Sequence, residues 1–200
     1  MNEELDLVLQ ARQGSEEAFT QLVEQYQTPV YNLCYRMLGE VESAEDAAQE
    51  SFLRAYRNLA RYDPQRSFAT WLLSITAHYC IDCLRRRRFI MISMDAEKPD
   101  DERPMELPDL NALDPEREAI RHEEQAALQH VLLQMDAIDR AAIVLRYWYD
   151  FSEIEISQSL SLTVSAVKSR LHRARKEIAR RLQASAETRV ERIPYGSPVV

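Results

Sequence analysis

The chain has 200 residues, with 25 basic and 33 acidic side chains, a formal charge of −8 and 46% hydrophobic residues. This is the profile of a globular protein of one domain or two small ones. It holds three glycines, Gly14, Gly39 and Gly196, where a chain of this length averages about 14; this excludes glycine-rich phosphate loops and argues against hairpin-rich folds. The longest apolar run, Ala141 to Leu145, falls far short of the roughly 18 residues of a membrane span. The acidic start MNEELDLVLQ lacks the basic region of a signal peptide, so a cytoplasmic protein with no direct membrane insertion is expected.

Helical periodicity governs the first 90 residues. Ser15 reads as an N-cap followed by Glu16 and Glu17, and Phe19, Leu22, Val23 and Tyr26 recur at helical spacing. Pro29 is expected to kink or break that run. Ser43 reads as the cap of a second helix, with Asp46 in the capping-box position. Its apolar stripe is Ala48, Phe52, Ala55, Tyr56 and Leu59. Asp63-Pro64 marks a loop. Ser67 opens a third helix that runs to Arg85, Arg86, Arg87 and Arg88, cations that suit a helix C-terminus as well as phosphate.

Residues 91–118 carry four prolines and ten acidic groups and read as an acidic flexible linker. The C-terminal part, 119–182, is expected to form helices over roughly Glu118 to Met135 and Asp139 to Trp148, then a short helix with the capping box Ser152/Glu155. That helix ends near Leu160, and a last one runs from Val164 to Leu182. A short helix, a tight turn and a long basic helix make a helix-turn-helix. The tail 183–200 is expected to be disordered. The fold class is therefore all-α: two small helical domains, 1–90 and 119–182, joined by the linker.

Charge is unevenly spread. Residues 164–200 are net +6 while 91–118 are net −7, so a polyanion is expected at local basic patches, with weak DNA binding by the chain alone. On the last helix, Val164, Val167, Leu171, Ala174, Ile178 and Leu182 line one side. Lys168, Ser169, His172, Arg173 and Lys176 line the other, flanked by Arg170 and Arg175; these side chains can contact base edges and phosphates. On the third helix, Ser67, Trp71, Ser74, His78 and Arg85 fall within an arc of about 60° at 100° per residue. A stripe of hydroxyls, indole, imidazole and cation suits unstacked bases.

Three segments carry a family resemblance. Residues Ala44 to Tyr56 (AEDAAQESFLRAY) resemble the polymerase-binding helix of bacterial sigma factors. Ser67 to Leu72 (SFATWL) with Ile81 to Arg86 (IDCLRR) resembles their −10 element helix, and Ala166 to Arg175 (AVKSRLHRAR) their −35 recognition helix. Their order across an acidic linker is similar to that of the extracytoplasmic function group, over roughly residues 10 to 182. The resemblance implies that Asp46, Gln49, Glu50, Phe52 and Arg54 face the clamp coiled coil of the largest polymerase subunit. It implies that Arg61, Arg66, Ser67, Trp71, Ser74 and His78 hold flipped −10 bases, whose capture offsets a few kcal/mol of unstacking per base. Arg85, Arg86, Arg87 and Arg88 would grip backbone. Lys168, Ser169, Arg170, His172, Arg173 and Arg175 would read the −35 duplex.

The implied partners are core RNA polymerase (clamp, and the flap of the second-largest subunit), promoter DNA and an anti-sigma factor. No catalysis, cofactor, metal or small-molecule substrate is implied, and the acidic linker would thread a polymerase channel. Departures from the family pattern fall at Ser161, where the turn usually has glycine; at Thr163-Val164-Ser165-Ala166, where Pro-Val-Gly-Thr is usual; and at His78, where a residue such as Asn is expected.

Two other classes fit parts of the sequence. One is a dimeric helix-turn-helix regulator that binds operator DNA tightly without polymerase. The other is a cysteine-dependent redox or metal protein built on Cys80-Ile81-Asp82-Cys83, a CxxC that with His78 would offer three metal or redox ligands where a structural zinc site needs four; on a helix these cysteines also read as small hydrophobes. His122 and His130 read as helix surface. Tyr147-Trp148-Tyr149 is expected in the core of the C-terminal domain.

Overall fold

The computed structural model describes the backbone of residues 3–93 and 115–191, with side chains over 3–90 and 123–184. The helices are α1 (Glu3–Arg12), α2 (Glu16–Leu38), α3 (Val41–Asn58), α4 (Phe68–Ser93), α5 (Pro115–Leu133), α6 (Ala137–Trp148), α7 (Glu153–Ser159) and α8 (Val164–Glu191), with a 3-10 turn at Leu59–Arg61. No strand occurs among the described residues. Residues 94–114, most of the expected linker, and 192–200 of the tail lie outside them.

Local chemistry sets most helix ends. The Ser15 hydroxyl accepts the Ala18 N–H at 3.2 Å, satisfying one of the orphan donors at the start of α2. Gly39 ends α2 with φ 84° and donates its N–H to the Tyr35 carbonyl at 2.9 Å, the left-handed cap that glycine adopts without penalty. Ser152 and Glu155 form the expected capping box of α7.

Four sequence expectations are corrected. Pro29 does not break α2, which continues nine residues beyond it to Leu38; burial of Val30, Leu33, Cys34 and Met37 outweighs one missing backbone bond. Ser43 is not the cap of α3. The helix starts at Val41 with Glu40 at its N-cap, and the Ser43 hydroxyl donates to the Glu40 carboxylate at 2.7 Å. The buried face of α3 is Ala44, Ala47, Ser51 and Ala55, while Tyr56 is 43% exposed. The tail is helical as far as Glu191.

α1, α3 and α4 pack around α2; α5, α6 and α7 pack around α8. The two units also meet, α2 against α5 and α6, and α4 against α6 and α7. Leu22, Leu33, Met37 and Leu72 of the first unit share one core with Leu132, Ile143, Leu145 and Ile156 of the second. Hence Tyr147-Trp148-Tyr149 does not fill the C-terminal core alone. Tyr147 is exposed, the Arg36 guanidinium lies 4.4 Å from the Trp148 ring centre, and the Tyr149 hydroxyl donates to the Pro29 carbonyl at 2.6 Å.

Candidate nucleic-acid and polymerase interfaces

The loop before α4 folds on itself. Asp63 accepts the Gln65 N–H on its carboxylate at 3.0 Å and the Arg66 N–H on its carbonyl at 3.0 Å. The Tyr62 hydroxyl donates to the Arg66 carbonyl. Ser67 accepts the Thr70 N–H on its hydroxyl at 3.4 Å and the Trp71 N–H on its carbonyl at 3.1 Å. This turn delivers Arg66 and Ser67 to the mouth of α4. Trp71 is half-buried, tilted against Tyr62 and Phe68 at centre distances of 5.2 and 5.7 Å, so it belongs partly to the core and partly to the surface.

Ser67, Trp71, Ser74 and His78 meet Arg66 and Thr70 in one cavity of about 270 Å³, as the helical stripe requires. The His78 ring is fixed by its Nδ1 contact with the Ser74 carbonyl at 3.0 Å. Arg61, exposed on the 3-10 turn, and Arg85 do not line this cavity.

The four arginines divide by what holds them. Arg87 pairs with Glu40 at 2.9 Å and donates to Ser43. The Ser43 hydroxyl, then the Arg87 charge, hold the Glu40 carboxyl below its ordinary range. Arg86 lies 5.8 Å from the Tyr79 ring centre, and Arg85 pairs loosely with Asp82 at 3.9 Å. Arg88 is exposed. The first cluster thus presents Arg85, Arg86 and Arg88 outward and uses Arg87 as a tie to α3.

On α3, Asp46 and Gln49 are exposed. Glu50 pairs with Arg54 at 2.8 Å, and the Arg54 guanidinium stacks 4.4 Å from the Tyr79 ring centre. Phe52 lines two adjoining apolar grooves between α2 and α3, of about 550 and 530 Å³. Sequence reasoning missed the groove's other walls, Val23, Tyr31 and Leu53. Leu53 is 51% exposed, an apolar residue off the buried stripe, and that was the available signal.

In the C-terminal unit the α7–α8 turn carries Ser161 at φ 54°, so the position that favours glycine is occupied by a serine at a cost of about 1 kcal/mol. Thr163 caps α8 by accepting the Ala166 N–H on its hydroxyl at 3.1 Å. The altered entry Thr163 to Ala166 therefore still starts the helix. Val167, Leu171 and Ala174 are buried. Lys168, Ser169, His172, Arg173 and Arg175 all face outward, with Lys168 also 3.5 Å from Glu153. Arg170 departs from this set: it pairs with Asp139 at 2.6 Å and lies 3.9 Å from Asp136, bracing α8 against the start of α6.

Cys80 faces Cys34 rather than its CxxC neighbour. Both thiols are fully buried, and the Cys34 hydrogen bond, with burial, pushes the Cys80 thiol far up. Sequence reasoning also missed Arg140. It is 4% exposed, donates to the Met37 and Leu133 carbonyls, and is pushed down to about 10 by burial.

An all-helical pair of units, one with an aromatic-hydroxyl cavity beside arginines and one a helix-turn-helix with a basic outer face, defines a nucleic-acid-binding protein of the sigma-70 type. Residues 22–90 match Sigma-70 region 2 and residues 125–178 match Sigma-70 region 4. The chain is 36% identical over 178 residues to the ECF RNA polymerase sigma factor SigW of Bacillus subtilis, covering 88% of this chain and 95% of SigW. It is 32% identical to the RNA polymerase sigma-H factor of Pseudomonas aeruginosa, covering 88% and 92%. Among solved structures, CnrH in complex with the cytosolic domain of CnrY aligns with TM-score 0.64 at 24% identity over 92% of this chain and 99% of that one. The sigma factor RpoE of Bartonella quintana, in complex with the anti-sigma factor NepR, aligns with TM-score 0.67 at 18% identity over 82% and 96%; both likenesses concern the fold.

The chain belongs to the extracytoplasmic function sigma factors of the sigma-70 family. It is a promoter-specific transcription initiation factor that works with core RNA polymerase on promoter DNA.

Proposed function

We propose that this sigma factor divides its work among three faces. Residues 1–90 bind core polymerase and the −10 element, residues 119–182 bind the −35 element, and 91–118 link them. Asp46 and Gln49, with Phe52 and the α2–α3 groove beside them, receive the clamp coiled coil; Glu50 and Arg54 hold that face in shape through their ion pair. Arg66, Ser67, Trp71, Ser74 and His78 take up flipped −10 bases, with Arg85, Arg86 and Arg88 on the backbone. Lys168, Ser169, His172, Arg173 and Arg175 read the −35 duplex.

The observation that carries this reading is the cavity at the start of α4. It collects an indole edge, two serine hydroxyls, an imidazole and a guanidinium within about 270 Å³, the groups that stack on and hydrogen-bond an unstacked base. The protein itself performs no catalysis; polymerase supplies the chemistry. Among the described residues no helix is long and apolar enough to cross a membrane, in keeping with action in the cytoplasm, and an anti-sigma factor regulates it.

The test is in vitro transcription with core polymerase on genomic DNA, mapping new start sites, followed by permanganate footprinting at one mapped promoter. New starts sharing −35 and −10 sequences are expected. Trp71→Ala should reduce strand opening by at least about tenfold, the value of one lost base stack. Trp71→Phe, which keeps a ring on Tyr62 and Phe68, should retain most of it. Equal opening by Trp71→Ala and wild type would remove Trp71 from the −10 site.

A further inference from the structure

Promoter binding leaves one motif without a role, Cys80-Ile81-Asp82-Cys83, and the fold brings a third thiol to it. Cys34 on α2 and Cys80 on α4 are both 0% exposed, and one thiol hydrogen-bonds the other across the packed helices. Cys83 lies one turn further along α4 and is partly exposed. Residues three apart on a helix have Cα atoms about 5 Å apart, inside the roughly 4.4–6.8 Å that a disulfide spans. Cys83, Cys80 and Cys34 therefore make a path of sulfurs from the surface to the core.

The two ends of the path differ in their surroundings. At the surface, Arg86 Nη2 donates to Cys83 Sγ at 3.5 Å, and Arg85 and Arg88 are exposed at the same end of α4. This positive surface attracts a small anionic disulfide such as glutathione disulfide. Burial keeps such an oxidant away from Cys34 and Cys80. In the core, the Cys34 hydrogen bond and burial hold Cys80 in its thiol form, and the Arg140 charge opposes them. Arg140 is 4% exposed, and its Nε is buried without a hydrogen-bond partner. An unused donor in the core is costly. Exchange requires a sulfur anion to form on Cys80, and that anion is a group the spare donor and charge of Arg140 suit.

We infer that Cys34 and Cys80 form a reversible disulfide that is reached through Cys83. The Cys83 sulfur attacks glutathione disulfide, a mixed disulfide forms at Cys83, and one glutathione thiol leaves. Cys80 then attacks the Cys83 sulfur, and the second glutathione thiol leaves. Cys34 attacks the Cys80 sulfur, which restores Cys83 as a thiol. In sum, two protein thiols give up two electrons and two protons, and one glutathione disulfide becomes two thiols. The transfer also serves DNA binding, a part that rests on the backbone role proposed for Arg86. A glutathione adduct on Cys83 sets carboxylates among Arg85, Arg86 and Arg88, in place of phosphate. Passing the oxidation into the core clears that surface.

The full chain, reduced and then incubated with glutathione disulfide, tests this by intact mass and peptide mapping. Wild type should end two hydrogens lighter, with Cys34 linked to Cys80, Cys83 free and no glutathione attached, and dithiothreitol should reverse the change. Persistence of free Cys34 and Cys80, with or without an adduct on Cys83, overturns the inference, and so does an end product that links Cys80 to Cys83. Cys83→Ser should form the Cys34–Cys80 link at least about tenfold more slowly, because its remaining thiols are buried; formation at the wild-type rate overturns the path. Cys80→Ala should instead hold the glutathione adduct on Cys83, and an absence of adduct there also overturns the path. Assembled with core polymerase, the adduct-bearing Cys80→Ala protein should bind a mapped promoter about tenfold or more weakly than its reduced form, through lost phosphate contacts. Unchanged promoter binding with the adduct in place leaves the thiol path supported and sinks the backbone role given to Arg86.

Discussion

A Cβ built on Gly39 would lie 2.7 Å from both terminal methyl carbons of Leu133. Gly39 ends α2 in the first unit and Leu133 ends α5 in the second. The glycine therefore serves two ends at once: its φ of 84° turns the chain out of α2, and its missing side chain makes room for the neighbouring unit.

Gly39→Ala should lower stability by about 1–2 kcal/mol, the cost of a left-handed alanine plus displacement of Leu133. In a Leu133→Ala background only the backbone part, about 1 kcal/mol, should remain. Urea denaturation of the four proteins in the cycle measures both; equal costs in the two backgrounds would show that the close approach carries no energy.

Glu155 gives the acid limb of stability a local origin. Its carboxyl is held below the ordinary carboxylate range because it accepts the Ser152 N–H and hydroxyl, with a smaller part from Thr70. The folded state thus favours the carboxylate. The stabilisation is present above the ordinary glutamate range and is lost as pH falls through the lower folded value. Wild type should exceed Glu155→Gln by about 1 kcal/mol, a typical helix-cap contribution, at neutral pH. The gap should close in acid, read from urea midpoints at about pH 7 and about pH 3.

Two neighbouring arginines on α8 should separate by experiment. Arg170→Ala should cost about 2 kcal/mol of stability, because it removes a charged hydrogen bond to Asp139 and leaves that carboxylate alone. Arg173→Ala should leave stability within about 0.5 kcal/mol. In the holoenzyme it should weaken promoter binding and lower the salt-dependence slope by about 1. The opposite pattern would reverse the assignment of the two residues.

The cysteines should differ in reactivity. Iodoacetamide should modify Cys83, which is partly exposed, while fully buried Cys34 and Cys80 react at least about a hundredfold more slowly until the protein unfolds. Rapid labelling of Cys80 in the folded chain would contradict the packing of α2 against α4.

The sequence by itself determined most of the helices after α1 and the candidate residues of the three proposed faces. Helical spacing, the cap at Ser15, the capping box at Ser152/Glu155 and the basic side of α8 are local patterns, repeated every turn and readable within about 18 residues. The cavity residues Ser67, Trp71, Ser74 and His78 were legible for the same reason, since one helix aligns them. What only the tertiary structure decided is which members of each face are free and what stands opposite them. Arg170 and Arg87 carry the same charge as their neighbours, but Asp139 and Glu40 hold them. Tyr149 has the composition of a core residue, yet its hydroxyl ends on Pro29, 120 positions away. The covering of Ser74 by Ser159, 85 positions on, leaves no periodic trace in either segment. Such contacts depend on how whole helices dock, and docking is fixed by the shapes of α2, α4, α6 and α7 together rather than by any one stretch of chain.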